Sequence, residues 1–216
     1  GILDSKQIMP GALDWIEEHA GERFYAYIHL TDPHAPLIPL AEARALLAPD
    51  VPEDFSPVAC NKIHGRALSG AGRDEEGHLH LDKISSPEER QWINDLYDAC
   101  VRSGDERLGE VLDTLERLGL TDETIIAFTS DHGEELFDHG FVTHGQSVHQ
   151  ELMTVPLVIA GPGVPEGVRL QEPVSNRHLA PTLARLAGGE PEGGYKGFDL
   201  VERLDADAAE DVLMFH

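Results

Sequence analysis

Three His-Gly pairs between residues 131 and 145 are the best candidates for chemistry in this sequence. An Asp-His-Gly triplet at residues 131–133 is followed by His-Gly pairs at 139–140 and 144–145. The Asp131 carboxylate beside the His132 imidazole suits a divalent cation. An isolated triplet of this kind is more often a helix cap followed by a loop histidine. The two further pairs, within 13 residues of Asp131, favour a ligand site.

The segment before this triplet has the composition of a β-strand. Residues 124–129 form a short β-branched and aromatic run, which is typical of a strand buried on both faces, and the run stops at Ser130. In an open α/β sheet, ligands gather at the carboxyl ends of the strands. The sequence therefore predicts that this strand carries Asp131 and His132 to a ligand site.

A second strand is predicted upstream, at residues 23–30, followed by a loop at 31–36 that two prolines stiffen. His34 lies in this loop and is a second candidate for chemistry at a strand end. Taken alone, a histidine between prolines is more often a turn residue bonded to its own loop. His29 lies on the predicted strand, and we expect it to be packed there.

The clearest helical pattern covers residues 87–118, where apolar residues recur at three- and four-residue steps. Ser86 has the features of a helix start and Gly119 those of a stop. The pattern allows one helix, or two with a break near Gly104. This segment is predicted to be scaffold.

Two shorter helices and another strand complete the predicted elements. Residues 9–19 predict an amphipathic helix with Pro10 in its first turn. Residues 175–188 predict another helix, capped by Ser175 or Asn176. Residues 155–160 predict a second buried strand.

Periodicity is lost between residues 41 and 86, where proline, glycine and charge accumulate. We interpret 41–86 as a variable insertion with one short helix near 41–47. Asp74, His78 and His80 lie in its Gly- and Glu-rich part, with no preceding strand, and are predicted to form a solvated loop.

The composition indicates a globular and strongly acidic chain. Its 216 residues are 41% hydrophobic, which suits one domain with a sizeable core. Sixteen basic residues against 40 acidic ones give a net charge of −24, which repels nucleic acid and anionic membranes. No apolar run approaches the roughly 20 residues that span a bilayer. We therefore expect a soluble chain with no nucleic-acid partner.

The numbers of lysine and cysteine residues bear on the cellular compartment and on cysteine-based sites. Only four of the 16 basic residues are lysine, which is compatible with the cytoplasm of a salt-adapted organism, although the compartment stays unknown. Cys60 and Cys100 lie 40 positions apart in unlike contexts, so neither a disulfide framework nor a CxxC zinc site is indicated. Cys100 falls on the helical stripe and is predicted to be a core residue.

Five motifs together resemble the second half of a sulfatase-type hydrolase of the alkaline phosphatase superfamily. They are Ser-Asp-His-Gly-Glu at 130–134, Asp-His-Gly at 138–140, His-Gly at 144–145, Val-Pro-Leu-Val-Ile at 155–159 and Gly-Pro-Gly at 161–163. The resemblance implies an α/β fold, the alkaline-phosphatase-like three-layer α/β/α sandwich, incomplete in this chain. It also implies cleavage of sulfate, phosphate or phosphonate esters.

The resemblance assigns roles by position. Asp131 and His132 match ligands of one divalent cation, with Ca²⁺ the first choice and Mg²⁺ or Mn²⁺ the alternatives. His34 matches the family's Asp-Pro-His-x-Pro histidine, which reaches the ester's oxyanion or leaving-group oxygen. His144 stands where many relatives have lysine and would contact a sulfate or phosphate oxygen. His139 would either contact the substrate or order its loop.

Other parts of the family pattern are absent from the 216 residues. The 216 residues contain neither the pair of carboxylates that the family has near its amino terminus nor its Cys/Ser-x-Pro-x-Arg motif, whose cysteine becomes a formylglycine nucleophile. We therefore expect residues 1–216 to be a partial catalytic domain, silent alone, with the formylglycine upstream. Residues 197–216 would begin a smaller carboxyl-terminal subdomain, whose next strand would begin at 212–216.

The sequence thus predicts a hydrolase of small-molecule sulfate esters and leaves two alternatives open. The first is a phosphodiesterase, phosphonate monoester hydrolase or phosphoethanolamine-type transferase on the same fold. It stays open because the nucleophile residue, which would distinguish these enzymes from a sulfatase, is not among the 216 residues. The second is a non-catalytic module that binds an anion or a partner. The natural substrate and the oligomeric state cannot be inferred from the sequence.

Overall fold

The computed structural model describes residues 5–170, 172–190 and 197–204, and it divides them into two compact units. The first unit comprises the residues up to 118 together with 134–152. The second comprises 119–133 and the described residues from 153 onward. The helices are α1 (Ser5–Glu18), α2 (Ala41–Leu47), α3 (Ala59–Leu68), α4 (Pro87–Arg117), α5 (Gln150–Met153), α6 (Leu179–Leu186) and α7 (Leu200–Leu204). The strands are β1 (Ile126–Thr129), β2 (Glu135–Leu136), β3 (Val142–Thr143) and β4 (Leu157–Ala160).

Helix α4 is the longest element of the first unit, and its predicted ends are confirmed. The Ser86 hydroxyl accepts a hydrogen bond from the Glu89 amide at 3.1 Å, and the Glu89 carboxylate accepts one from the Ser86 amide at 2.8 Å. This reciprocal pair satisfies two amides that the first turn leaves without partners. Gly119 follows the helix with a φ of 72°, which favours glycine. The helix continues unbroken through Gly104, so the one-helix alternative is correct.

The core of the first unit lies along α4, which packs against α1 and α2. Ile93, Leu96, Ala99 and Cys100 are at most 1% exposed, which confirms Cys100 as a core residue. Their three- and four-residue spacing places them on one face of the helix.

The prediction for residues 41–86 is correct for α2 and wrong for the segment that follows it. Helix α3 was not predicted, and its Cys60, Ile63 and Ala67 are buried in the core. These three residues have helical spacing, but prolines and glycines on either side obscure it. Residues 41–86 therefore contribute to the hydrophobic core.

The loop after α3 confirms the prediction for its polar residues. The Asp74 carboxylate accepts hydrogen bonds from the His78 amide and from His80 Nε2, both at 2.8 Å. These bonds hold the pKa of Asp74 below its ordinary value, mainly through His80. The charges of this loop are satisfied largely within the loop itself.

Two strands were predicted to be buried, and both are partly exposed. Strand β1 pairs antiparallel with β4, so that Phe128 lies opposite Val158. Phe128 is 37% exposed and Val158 57%. Among the described residues each of these strands pairs only with the other. Two strands alone cannot cover both of their faces, so the prediction of burial was wrong.

Residues 23–30 form no strand, which corrects the prediction there. In the described part of the chain no segment provides the backbone hydrogen bonds of a ladder to these residues. Tyr25 and Tyr27 are 78% and 75% exposed, and His29 is exposed as well. The expectation that His29 is packed was therefore wrong.

The remaining helices refine their predicted bounds. Helix α1 begins at Ser5, so Pro10 lies inside it and not in its first turn as predicted. A short 3₁₀ helix capped by Ser175 leads into α6, which confirms the helix predicted at 175–188. The strand predicted at 212–216 lies outside the described residues. Of the subdomain predicted at 197–216, only 197–204 is described, so that assignment stays a prediction.

None of the described helices has both the length and the apolar character needed to cross a membrane.

Replacing Leu96 by Ala should lower the free energy of unfolding by about 2–5 kcal/mol, because the side chain is 1% exposed and its removal leaves a cavity. Leu112→Ala on the same helix is the matched control, since Leu112 is 41% exposed; its cost should stay below about 1 kcal/mol. Urea unfolding of the full-length gene product measures both. Equal losses would contradict the assignment of the core.

Candidate active site

Two of the predicted histidines meet in the first unit. The rings of His34 and His144 lie 5.2 Å apart between centroids, at an angle of 53°. His34 is carried by the proline-rich loop, where its amide donates to the Thr31 carbonyl at 2.7 Å. His144 directly follows β3. The structure thus brings together two residues that the resemblance assigns to the ester.

Hydrogen bonds at Nδ1 orient both rings. His34 Nδ1 lies 2.5 Å from the Ala35 carbonyl oxygen, and His144 Nδ1 lies 2.7 Å from Glu134 Oε1. Because a carbonyl and a carboxylate only accept, Nδ1 carries the proton in each bond. The Nε2 atom of each ring is therefore the one directed to other contacts.

Glu134, the hydrogen-bond partner of His144, was quoted from the sequence only as part of a motif. Its position beside His144 follows from the β2–β3 ribbon, in which Glu135 pairs with Thr143 and Leu136 with Val142. Extending this antiparallel register by one residue pairs 134 with 144. The Asp-His-Gly sequence at 138–140 is a signal for a turn, and a hairpin built around that turn would have placed Glu134 beside His144.

Both histidines line a recess in the first unit. Leu37, Ile93 and Val142 form buried parts of its wall. Asn61, Glu134 and Thr143 are among its polar residues, and more of its accessible surface is apolar than polar. An apolar recess with a few polar side chains is the usual form of a small-molecule site.

Two ionisable side chains in this recess stay protonated near neutral pH. Burial raises the pKa of the Cys60 thiol to about 11 and that of the Tyr97 phenol to about 12. The nearby Glu134 carboxylate adds to both effects, because a negative charge disfavours a second anion. Cys60 is therefore a neutral thiol and a poor nucleophile.

Asp131 and His132 lie in the second unit, directly after β1, as predicted. Asp131 Oδ1 accepts a hydrogen bond from the His132 amide at 2.9 Å. His132 Nδ1 donates to the Gly133 carbonyl at 2.9 Å, and its Nε2 lies 3.8 Å from Asp131 Oδ2. The end of the strand thus holds a carboxylate and an imidazole side by side.

Asn176, which sequence reasoning considered only as a helix cap, anchors this turn. Its Nδ2 donates to the Ser130 carbonyl at 2.8 Å, and Thr129 Oγ1 donates to the Pro156 carbonyl at 2.8 Å. The Ser130 hydroxyl donates to the His132 carbonyl at 2.7 Å. The backbone that carries Asp131 and His132 is thereby tied to two other segments of the second unit.

The Asp131–His132 pair fits part of the coordination sphere of a divalent cation. One carboxylate oxygen and one imidazole nitrogen, 3.8 Å apart, can approach a common ion with small side-chain rotations. The Asp131 side chain is 74% exposed, so an ion can reach it from solvent. Carboxylate oxygen suits Ca²⁺, Mg²⁺ and Mn²⁺.

His139, the third histidine assigned to the substrate, packs elsewhere in the first unit. Its ring lies 3.8 Å from that of His149, and its Nδ1 lies 3.4 Å from Glu151 Oε2. These neighbours support the alternative in which His139 orders its loop. The sequence analysis did not single out His149 or Glu151.

The fold is that of hydrolases of the alkaline phosphatase superfamily. The structure superposes on phosphonate monoester hydrolase SpPMH from Silicibacter pomeroyi with a TM-score of 0.71 and 23% identity, covering 95% of this chain and 42% of that one. The predicted fold class, an incomplete α/β domain of this type, is confirmed.

The chain belongs to the Sulfatase family, whose model matches residues 3–189. It is 44% identical over 92 residues to choline-sulfatase from Rhizobium meliloti (strain 1021), covering 43% of this chain and 18% of that protein. It is 37% identical over 125 residues to arylsulfatase K from Danio rerio, covering 58% of this chain and 23% of that protein. The chain therefore spans about a fifth of the length of these curated relatives. Members of this family generally bind a divalent metal, and this chain has side chains suited to one.

Cys60 should resist alkylation in the folded protein. At about pH 8 its thiolate fraction is small, because its pKa is raised to about 11, and it is only 3% exposed. Peptide mass spectrometry after iodoacetamide treatment, with and without guanidinium, measures this. Cys100, at 0% exposed, is the matched buried control. Rapid labelling of Cys60 without denaturant would contradict the assignment.

Proposed function

We propose that the full-length gene product containing these residues hydrolyses small-molecule sulfate esters with one divalent cation. Membership of the Sulfatase family supports the reaction class. The observation that carries the proposal for this chain is the pair formed by His34 and His144, 5.2 Å apart at one recess. Two imidazoles at this separation can contact different oxygens of one tetrahedral anion.

His34 is proposed to act at the leaving-group oxygen. Its Nδ1–H is held by the Ala35 carbonyl, so Nε2 is the atom that would meet the ester. A proton on Nε2 can be donated to the departing oxygen as the ester bond breaks, which lowers the charge that this oxygen must carry. The proline-rich loop restricts the motion of the ring and supports this orientation.

His144 is proposed to hold the sulfate group. When the ring is protonated, the Glu134 carboxylate 2.7 Å away balances its charge, and Nε2–H can donate to a sulfate oxygen. The Glu134 side chain is only 12% exposed, so the carboxylate keeps a defined position. Glu134 thus positions His144 and does not itself contact the ester.

Asp131 and His132 are proposed as two ligands of the cation, with Ca²⁺ preferred and Mg²⁺ or Mn²⁺ as alternatives. Such an ion would polarise the ester and offset negative charge on its oxygens. The hydrogen bonds at His132 Nδ1 and Asp131 Oδ1 orient the donor atoms, as partners of metal ligands commonly do. The attacking group is proposed to be a formylglycine outside these residues, because none of them matches its motif.

Hydrolysis of phosphate or phosphonate monoesters is the second candidate. The similarity in fold to a phosphonate monoester hydrolase, at a TM-score of 0.71, is the observation that favours it. Sulfate and phosphonate monoesters present similar tetrahedral oxygen groups to the two histidines. An assay panel containing aryl sulfates, phosphates and phosphonates separates the candidates, and preference for a phosphorus ester would overturn the sulfatase assignment.

The roles of the two histidines predict a large loss of activity on replacement. His34→Gln and His144→Gln should each lower kcat for an aryl sulfate by about 10²–10⁴-fold, because each removes a proton donor to the ester. His29→Gln is the matched control, since His29 is exposed five residues before His34. Steady-state assays of the full-length gene product measure these effects. Full activity in either test variant would contradict its role.

The proposed ligand role of Asp131 has a separate test. Asp131→Ala should abolish turnover at low concentrations of Ca²⁺, Mg²⁺ or Mn²⁺, because a charged ligand is lost. Asp122→Ala, at an exposed position of the same unit, should retain wild-type turnover. Activity measured against the concentration of added cation after chelation distinguishes the two. An unchanged cation dependence in Asp131→Ala would refute the ligand assignment.

A further inference from the structure

A second group of metal-ligating side chains lies in the first unit. Glu135, His139 and His149 each offer one ligand atom, and these atoms lie within 4.8 Å of one another. Glu135 directly follows Glu134 on the ribbon, and alternate residues of a strand point to opposite faces. The two carboxylates therefore serve different histidines: Glu134 contacts His144, and Glu135 contacts His149.

The Glu135 carboxylate is fully buried. Its side chain is 0% exposed, Oε1 lies 2.7 Å from His149 Nδ1, and the Gln146 amide donates to Oε2. A buried carboxylate is costly unless opposite charge compensates it. Its ion-pair partner is a histidine, which is neutral unless it is protonated. The site therefore accommodates additional positive charge.

A second carboxylate borders the same group. Glu151 Oε2 is buried and accepts no hydrogen bond from the described part of the chain. His139 Nδ1 lies 3.4 Å from this oxygen, without the alignment of a hydrogen bond. Since His139 also packs on His149, the rings and the two carboxylates form one continuous cluster. The unsatisfied oxygen is independent support for a bound cation.

We propose that Glu135, His139 and His149 bind a Zn²⁺ ion, with Glu151 adding negative charge beside it. Two imidazoles and one carboxylate are a zinc donor set, and they suit Ca²⁺ poorly because two of the three donors are nitrogen. Tetrahedral zinc places its ligand atoms about 3.4 Å apart. The three ligand atoms lie within 4.8 Å of one another, and binding of the ion would bring them to that distance through side-chain rotations.

The consequence of this site is a fixed connection between two parts of one loop. His139 lies in the turn between β2 and β3, and His149 directly precedes α5. An ion shared by both would tie the ribbon that carries Glu134 and His144 to the following segment. This site is separate from the cation that the proposed function assigns to Asp131 and His132.

The test is zinc binding by the full-length gene product after its metals have been removed with a chelator. Zinc content after dialysis and the visible spectrum of added Co²⁺ report binding without using activity. His139→Gln and His149→Gln should each weaken zinc binding at least about tenfold, because each removes a ligand. The glutamine at position 149 keeps an N–H donor for Glu135, which favours retention of the fold.

Two control variants make the result specific. His78→Gln alters the exposed group of Asp74, Glu76 and His78, and Asp131→Ala alters the proposed catalytic cation; both should retain this zinc ion. Circular dichroism of the metal-free proteins checks folding, and His139→Gln supplies the test if His149→Gln does not fold. The proposal is overturned if the wild type binds no zinc, if the double variant His139→Gln/His149→Gln binds it unchanged, or if His78→Gln abolishes binding.

Discussion

A hydrogen bond from histidine Nδ1–H to a fixed oxygen is the interaction on which the candidate site depends. It recurs at His34, His132 and His144, whose acceptors are the Ala35 carbonyl, the Gly133 carbonyl and the Glu134 carboxylate. Each bond selects one tautomer and restricts rotation of the ring. A histidine held in this way presents Nε2 in a defined direction, which a flexible lysine at the same position would not do.

Local signals in the sequence indicate the residues of the candidate site more readily than the hydrogen-bond partners of those residues. Asp131 and His132 were found because they follow a β-branched run directly, and β1 ends where that run ends. The resemblance identified His34 and His144 separately. Their meeting depends on contacts between residues about 110 positions apart, which periodicity in a sequence cannot reveal. Glu134 was missed as a partner because its role depends on the register of a short hairpin.

The errors in the fold have two physical origins. Residues 23–30 and β1 have β-branched and aromatic composition, which predicts extended backbone but not the partner that would bury it. Tyr25, in a segment that forms no strand, and Phe128, in β1, are therefore both exposed. Helix α3 was missed for the opposite reason: its apolar spacing is helical, but the surrounding prolines and glycines are typical of a loop. The long helix α4 was predicted well because its cap and periodicity agree.

Because Glu134 and Glu135 are consecutive, the β2–β3 ribbon should tolerate substitutions in its turn more readily than changes in the length of that turn. Substitutions in the turn between the strands, except at His139, leave the pairing of Glu135 with Thr143 intact, so many of them can be tolerated. Insertion or deletion of one residue there would shift the pairing by one position and exchange the faces of both carboxylates. His144 and His149 would lose their acceptors in a single event. The length of this turn and the histidine at position 139 are therefore the properties that selection has to preserve.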